Sequence, residues 1–263
     1  MSKHVNSTAY PLSPLKLTLL GLATLALAAC AATVRQERKD KDAASYNTQL
    51  GVEYMRQGDL ARAKDKLDRA VNEDPQSADA HSARAMLFER MGEPSKADGE
   101  FHSALRIGPH DPQVINSYAV FLCSNGRREQ GVKTFLEAAH NPLYRTPEAA
   151  YTNAGVCQRA AKHDDEAAVN FSHALQVRPD YAEAAFQLAN LQFDHGQLPA
   201  ARSQIDAFLG NHDATPDLLL LAVRVARAQG DRGAAQGFAR RLQRDFAGTE
   251  QARELAALDR NPG

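Results

Sequence analysis

Small and apolar residues recur along this chain with a period of 34 positions. The pattern is fullest in 44–77, ASYNTQLGVEYMRQGDLARAKDKLDRAVNEDPQS. Leu50, Gly51 and Tyr54 stand at i, i+1 and i+4 and so share one side of a helix. Gly51 is small where a second helix has to come close. Gly58 follows where the first helix stops and suits the left-handed backbone of a C-terminal cap. Ala63, Leu67 and Ala70 then recur at intervals of four and three, the packing stripe of a second helix. Pro75 lies past its end, where a missing N–H costs nothing. The pattern predicts a helix–turn–helix unit.

The unit returns five times. The second, 78–111, places Ala85, Phe88, Gly92, Ala97, Phe101, Ala104 and Pro109 at the same offsets. The third begins at Pro112 and gives Ala119, Leu122, Gly126, Gly131, Phe135 and Ala138. It then departs, because HNPLYRTPEA (140–149) carries two extra residues with Pro142 and Pro147. The fourth, 148–181, supplies Ala154, Gly155, Ala167, Phe171, Ala174 and Pro179. The fifth, 182–215, is weaker, with Phe208 and Asp213 where a small residue and a proline are expected. The sixth, 216–249, keeps Gly230 and Ala235 but has Val223, Ala239 and Leu242 at other landmarks. Starts at 44, 78, 112, 148, 182 and 216 are separated by 34, 34, 36, 34 and 34. Landmarks in this order and spacing resemble the tetratricopeptide repeat. The resemblance implies an all-α fold, a superhelical solenoid of six repeats over 44–249. The last unit of a solenoid needs a cover, and Ala252, Leu255 and Ala256 mark 250–263 as a capping helix and tail.

Residues 1–29 stand outside the repeat. Lys3 and Lys16 precede and open an apolar run, LTLLGLATLALAA (17–29), too short for the ~20 residues of a membrane span and suited to a signal-peptide core. The run ends in Leu27-Ala28-Ala29-Cys30, which resembles the lipobox of bacterial lipoprotein precursors. That resemblance implies lipidation of Cys30 and, with Ala31 rather than Asp next, sorting to the periplasmic face of the outer membrane. The stretch 30–43 is expected to be the lipidated N-terminus and a flexible tether. Its last 13 residues, carrying seven charges, could reach about 45 Å when extended.

Composition narrows the function. The chain is 43% hydrophobic, 6% aromatic and without tryptophan, which suits close-packed helices. Its formal charge is −1, and removing 1–29 with its two lysines leaves 29 basic against 32 acidic residues, or −3. No basic stripe invites nucleic acid. No HExxH, glycine-rich phosphate loop or GxSxG is present, and the nine histidines are scattered without a second ligand at metal spacing. No catalytic residue, metal, cofactor or small-molecule substrate is therefore expected. The expectation is a protein that binds proteins.

In the repeat family, positions 2, 5, 9, 12 and 13 of each unit usually face the concave groove. Here these positions nominate Val52, Met55, Met86, Asn116, Val120, Thr152, Val156, Phe186 and Phe193 as a partner-binding surface. Cys123, Asn190, Leu220, Arg224 and Arg227 share the same positions. Met55, Met86, Val52 and Val120 would form an apolar strip over the first three units. The set contains no lysine, unlike repeats that clamp a C-terminal carboxylate.

Two strings narrow the resemblance further. NSYAVFLCSNGR (116–127) and PLYRTPEAAYTNAGVC (142–157) resemble the type IV pilus biogenesis and stability lipoproteins, the pilotins of the pilus secretin. That family implies an outer-membrane lipoprotein whose partner is the secretin subunit, which it helps to localise and multimerise. The alternative is a general envelope scaffold serving outer-membrane protein assembly or peptidoglycan synthesis. The family also carries cysteines at both Cys123 and Cys157. With Cys30 lipidated these would be the last two thiols, on neighbouring first helices in an oxidising compartment. A disulfide is expected, with two packed free thiols as the other possibility.

Overall fold

A computed structural model of the chain describes residues 36–260. The apolar run, Cys30 and residues 31–35 of the expected tether lie outside these, as do 261–263. The described residues form thirteen helices and no strand. They are α1 (36–56), α2 (Leu60–Glu73), α3 (Ala78–Arg90), α4 (Pro94–Ile107), α5 (Pro112–Ser124), α6 (Arg128–Ala139), α7 (Pro147–Ala160), α8 (Asp164–Val177), α9 (Ala182–Asp194), α10 (Leu198–Asn211), α11 (Pro216–Ala228), α12 (Arg232–Asp245) and α13 (Glu250–Arg260).

Odd and even helices pair in turn, one pair per 34-residue unit. α3, α5, α7, α9 and α11 each touch the next odd helix, whereas even helices touch only their flanking neighbours. The odd helices are thus spaced more tightly than the even ones, and the stack curves with α1, α3, α5, α7, α9 and α11 on its concave wall. Small residues set the distance within a pair. A Cβ on Gly51 would lie 2.5 Å from Leu67 Cγ, and one on Gly155 would lie 2.5 Å from Phe171 Cε1. At the third unit the roles reverse: a Cβ on Gly131 of α6 would lie 3.1 Å from Ala119 O of α5.

Every first helix ends in the same turn. The N–H donors of Asp59, Glu93, Arg127, His163, Gln197 and Asp231 return to carbonyls five residues earlier, at 2.8–2.9 Å. The preceding residue must then be left-handed. Five of these are glycine, such as Gly58 at φ 79°, but the fourth is Lys162 at φ 67°. A side chain there costs about 1–2 kcal/mol. Lys162→Gly is expected to raise the unfolding free energy by about 1 kcal/mol, the added chain entropy of glycine taking back part of the relief. Thermal melts followed by helical circular dichroism would read it, and a lower midpoint would mean that the turn is not left-handed.

The expected tether needs one correction. Residues 36–43 are helical and run without a break into α1. Their composition, QERKDKDA, is rich in good helix formers, and Gln36 Nε2 donates to Asp40 Oδ1 one turn on. As helix these eight residues rise about 12 Å rather than the roughly 28 Å of extended chain.

The two extra residues between α6 and α7 are used for packing. Tyr144 is buried among Ile115, Ala138, Ala139 and Ala150, filling the seam between the third and fourth units. Asn141 Nδ2 donates to His110 O at 3.0 Å and holds the loop to the preceding connection. At the far end, α13 lays Ala252 and Leu255 on Leu219, Leu220, Val223 and Leu242 and closes the core.

A concave wall with an open half and a closed half

The groove positions separate into three groups. Met86, Val120 and Val156 keep 36%, 43% and 41% of their surface exposed. Val52 and Asn116 are half-buried on the same wall. Phe186 and Phe193 are partly buried against the core between α9, α10 and α11, and the Arg224 guanidinium lies 5.1 Å from the Phe193 ring centre.

Two nominated residues are not groove residues. Met55 is 2% exposed and packs with Ala63, Leu67, Ala83 and Leu87. Arg90 crosses from α3 and donates Nη1 to Met55 O at 2.7 Å, and Ala83 and Leu87 of α3 close over the side chain at the seam between the first two units. Thr152 is 2% exposed, and its hydroxyl donates to Glu148 O at 2.8 Å within α7. The apolar strip is therefore Val52, Met86 and Val120, without Met55.

Two clefts run together along this strip. One, of about 480 Å³, is lined in part by Val52, Asp79, Ala83, Met86 and Gln113. The other, of about 590 Å³, is lined by Met86, Glu89, Arg90, Asn116 and Val120 among others, and shares Met86, Gln113 and Ser117 with the first. Asp79, Glu89, Arg90 and Gln113 occupy groove positions 2, 12 and 13. They are not among the residues nominated from the sequence, although their positions mark them.

Polar groups in this half are short of partners. The Asn116 carboxamide makes no hydrogen bond among the described residues, and its Oδ1 is shielded from solvent. Such an orphaned group costs about 1–3 kcal/mol until it finds a donor. Asp79, in the first turn of α3, is exposed and has no hydrogen-bond or ion-pair partner among the described residues; partial desolvation followed by the charge of Asp111 raises its pKa. In the far half several wall groups bond to one another, although Gln192 Oε1 of α9 is also left without a partner. Arg159 Nη2 meets Asp194 Oδ2 at 2.6 Å, and Gln187 Nε2 donates to Glu183 Oε1 at 2.9 Å.

Cys123 of α5 and Cys157 of α7 are joined as a disulfide, with Cα atoms 5.9 Å apart. The bond lies beside Phe135, Ala119 and Ala154, behind the open half of the wall. Among the described residues no cluster of His, Cys, Asp or Glu could hold a metal ion, and no helix is long and apolar enough to cross a membrane.

Known proteins share this arrangement. Residues 54–121 match the tetratricopeptide repeat family. The type IV pilus assembly protein PilF of Pseudomonas aeruginosa is 31% identical over 209 residues, which cover 80% of this chain and 83% of that protein. The solved structure of Pseudomonas aeruginosa PilF superposes with a TM-score of 0.65 at 30% identity, over 83% of this chain and 99% of that one. That of PilW, described as a widely conserved type IV pilus biogenesis factor, gives 0.64 at 28% identity over 81% and 98%. Built of tetratricopeptide repeats and related to PilF over most of both chains, this protein belongs to the PilF family of type IV pilus assembly proteins.

Proposed function

We propose that this protein serves type IV pilus biogenesis as a non-enzymatic assembly factor for the pilus secretin, anchored at the periplasmic face of the outer membrane through a lipid on Cys30. One observation carries the reading: in a chain of the PilF family, the first three repeats present an apolar cleft flanked by unpaired polar groups. An exposed apolar strip rimmed by polar residues is the usual mark of a partner site. Ordinary specific interfaces cover about 800 Å² per partner, an area that a cleft spanning three repeats can supply. Binding a secretin subunit there stabilises it by mass action. Anchoring to the membrane raises its local concentration where a ring must form.

A clean deletion strain, complemented in turn by the parent gene and by the Met86→Glu and Cys30→Ala variants, tests this. The reading expects secretin monomers without the heat- and SDS-resistant multimer in the deletion, rescue by the parent, and little rescue by Met86→Glu. Cys30→Ala should leave the outer-membrane fraction. Met86 is more than a third exposed, so its replacement should leave the melting temperature nearly unchanged. Normal multimers and pili in the deletion would sink the pilus reading in favour of a general envelope scaffold.

A further inference from the structure

The open half of the concave wall also has a sign of charge. Asp79 lines the first cleft without an ion-pair partner among the described residues, and the charge of Asp111, the N-cap of α5, adds to the negative field there. Asp111 gives Oδ1 to the N–H donors of Gln113 and Val114 at the start of α5. Glu89, along the second cleft, accepts only from Ser124 and Asn125. The arginines on the same rim are already engaged: Arg56 holds Glu53 at 3.1 Å, and Arg90 is bound to the Met55 carbonyl. Glu53 is thus paired with Arg56, and Arg90 keeps its charge beside Glu89, so Asp79 is the carboxylate without a cation beside the apolar floor of the first cleft. Asn116 Oδ1 lacks a donor, which a main-chain N–H supplies. A helix keeps its main-chain groups for itself, whereas an extended segment has them free.

We infer that the cleft of the first three repeats takes an extended partner segment carrying Lys or Arg next to an apolar side chain. The cation faces Asp79, the apolar side chain lies on Val52 and Met86, and a main-chain N–H is offered to Asn116 Oδ1. This rests on the reading of the concave wall as the partner surface, and it adds the chemistry of what is bound.

A library of random dodecapeptides displayed on phage, selected on the purified protein, tests the chemistry without any secretin. Enrichment of Lys or Arg within two residues of an apolar side chain is expected. For a synthetic enriched peptide, affinity should fall about tenfold on Asp79→Asn and at least as much on Met86→Glu. Asp217→Asn removes the same charge from the equivalent position of the sixth repeat and should leave affinity unchanged. Asp79→Asn should melt no lower than the parent, because its carboxylate has no partner to lose. Acidic or neutral enriched sequences, no enrichment, or equal losses from Asp79→Asn and Asp217→Asn would each overturn the inference. Cationic selectivity alongside normal secretin multimers in the deletion strain would uphold it while removing the pilus reading.

Discussion

Removing the Cys123–Cys157 bond is expected to lower the unfolding free energy by about 3.5–4 kcal/mol. The loop it closes spans 34 residues of sequence, and closing such a loop restricts the unfolded chain by roughly that amount in the chain-entropy model. The double replacement Cys123→Ala and Cys157→Ala is the cleaner variant, because Cys157 is fully buried and a serine hydroxyl there would lack a partner. The chain has no tryptophan, so urea unfolding is best followed by far-ultraviolet circular dichroism. Reductant should shift the parent curve toward that of the variant and leave the variant unmoved. A parent insensitive to reductant would show that the two thiols are not bonded in the folded protein.

The second large effect is at Phe171. Its ring is fully buried against Gly155 of the same unit and packs with Ala167, Leu188 and Leu191, joining the fourth unit to the fifth. Phe171→Ala should lose about 3–5 kcal/mol, the range for emptying a phenylalanine site. The pair also makes a test of sign. Gly155→Ala in the parent drives a methyl group into the ring and should destabilise by about 1–3 kcal/mol. In the Phe171→Ala background the obstruction is gone, and the same change should stabilise by about 0.5–1 kcal/mol through helix propensity. Destabilisation in both backgrounds would mean that Gly155 is small for some reason other than the ring.

That pair also shows why the fold was legible and the site only partly so. Gly51 against Leu67, and Gly155 against Phe171, are steric demands inside one unit, so they recur every 34 residues and can be counted. Helix ends are equally local, and even Lys162 left a visible gap where five glycines kept their place. Groove residues answer to neighbours in the next unit. Met55 stands at a groove position, yet it is buried against Ala83 and Leu87 of the next unit, whose Arg90 also binds its carbonyl 35 residues away. Thr152 turns inward to its own helix just after the irregular junction at 140–149. The division of the wall into open and closed halves depends on pairings such as Arg159 with Asp194, also 35 residues apart, which depend on side-chain rotamers rather than on periodicity. The cleft acids were legible by position alone: Asp79 stands at groove position 2 and Glu89 at position 12 of the second unit.

The reach of the contacts along the chain has a consequence for how the molecule forms. From α2 to α13, no helix touches another beyond the second one along. Closure of each unit therefore waits only for the next one to two helices, and folding can advance from one end without a distant partner. A chain delivered from its N-terminus has both Cys123 and Cys157 in hand, on packed neighbours, once α7 and α8 have docked. With two thiols in the repeats there is one intramolecular pairing to find. The bond can lock the third unit to the fourth while the last two are still being made, so the half of the wall with the open cleft is the half that matures first.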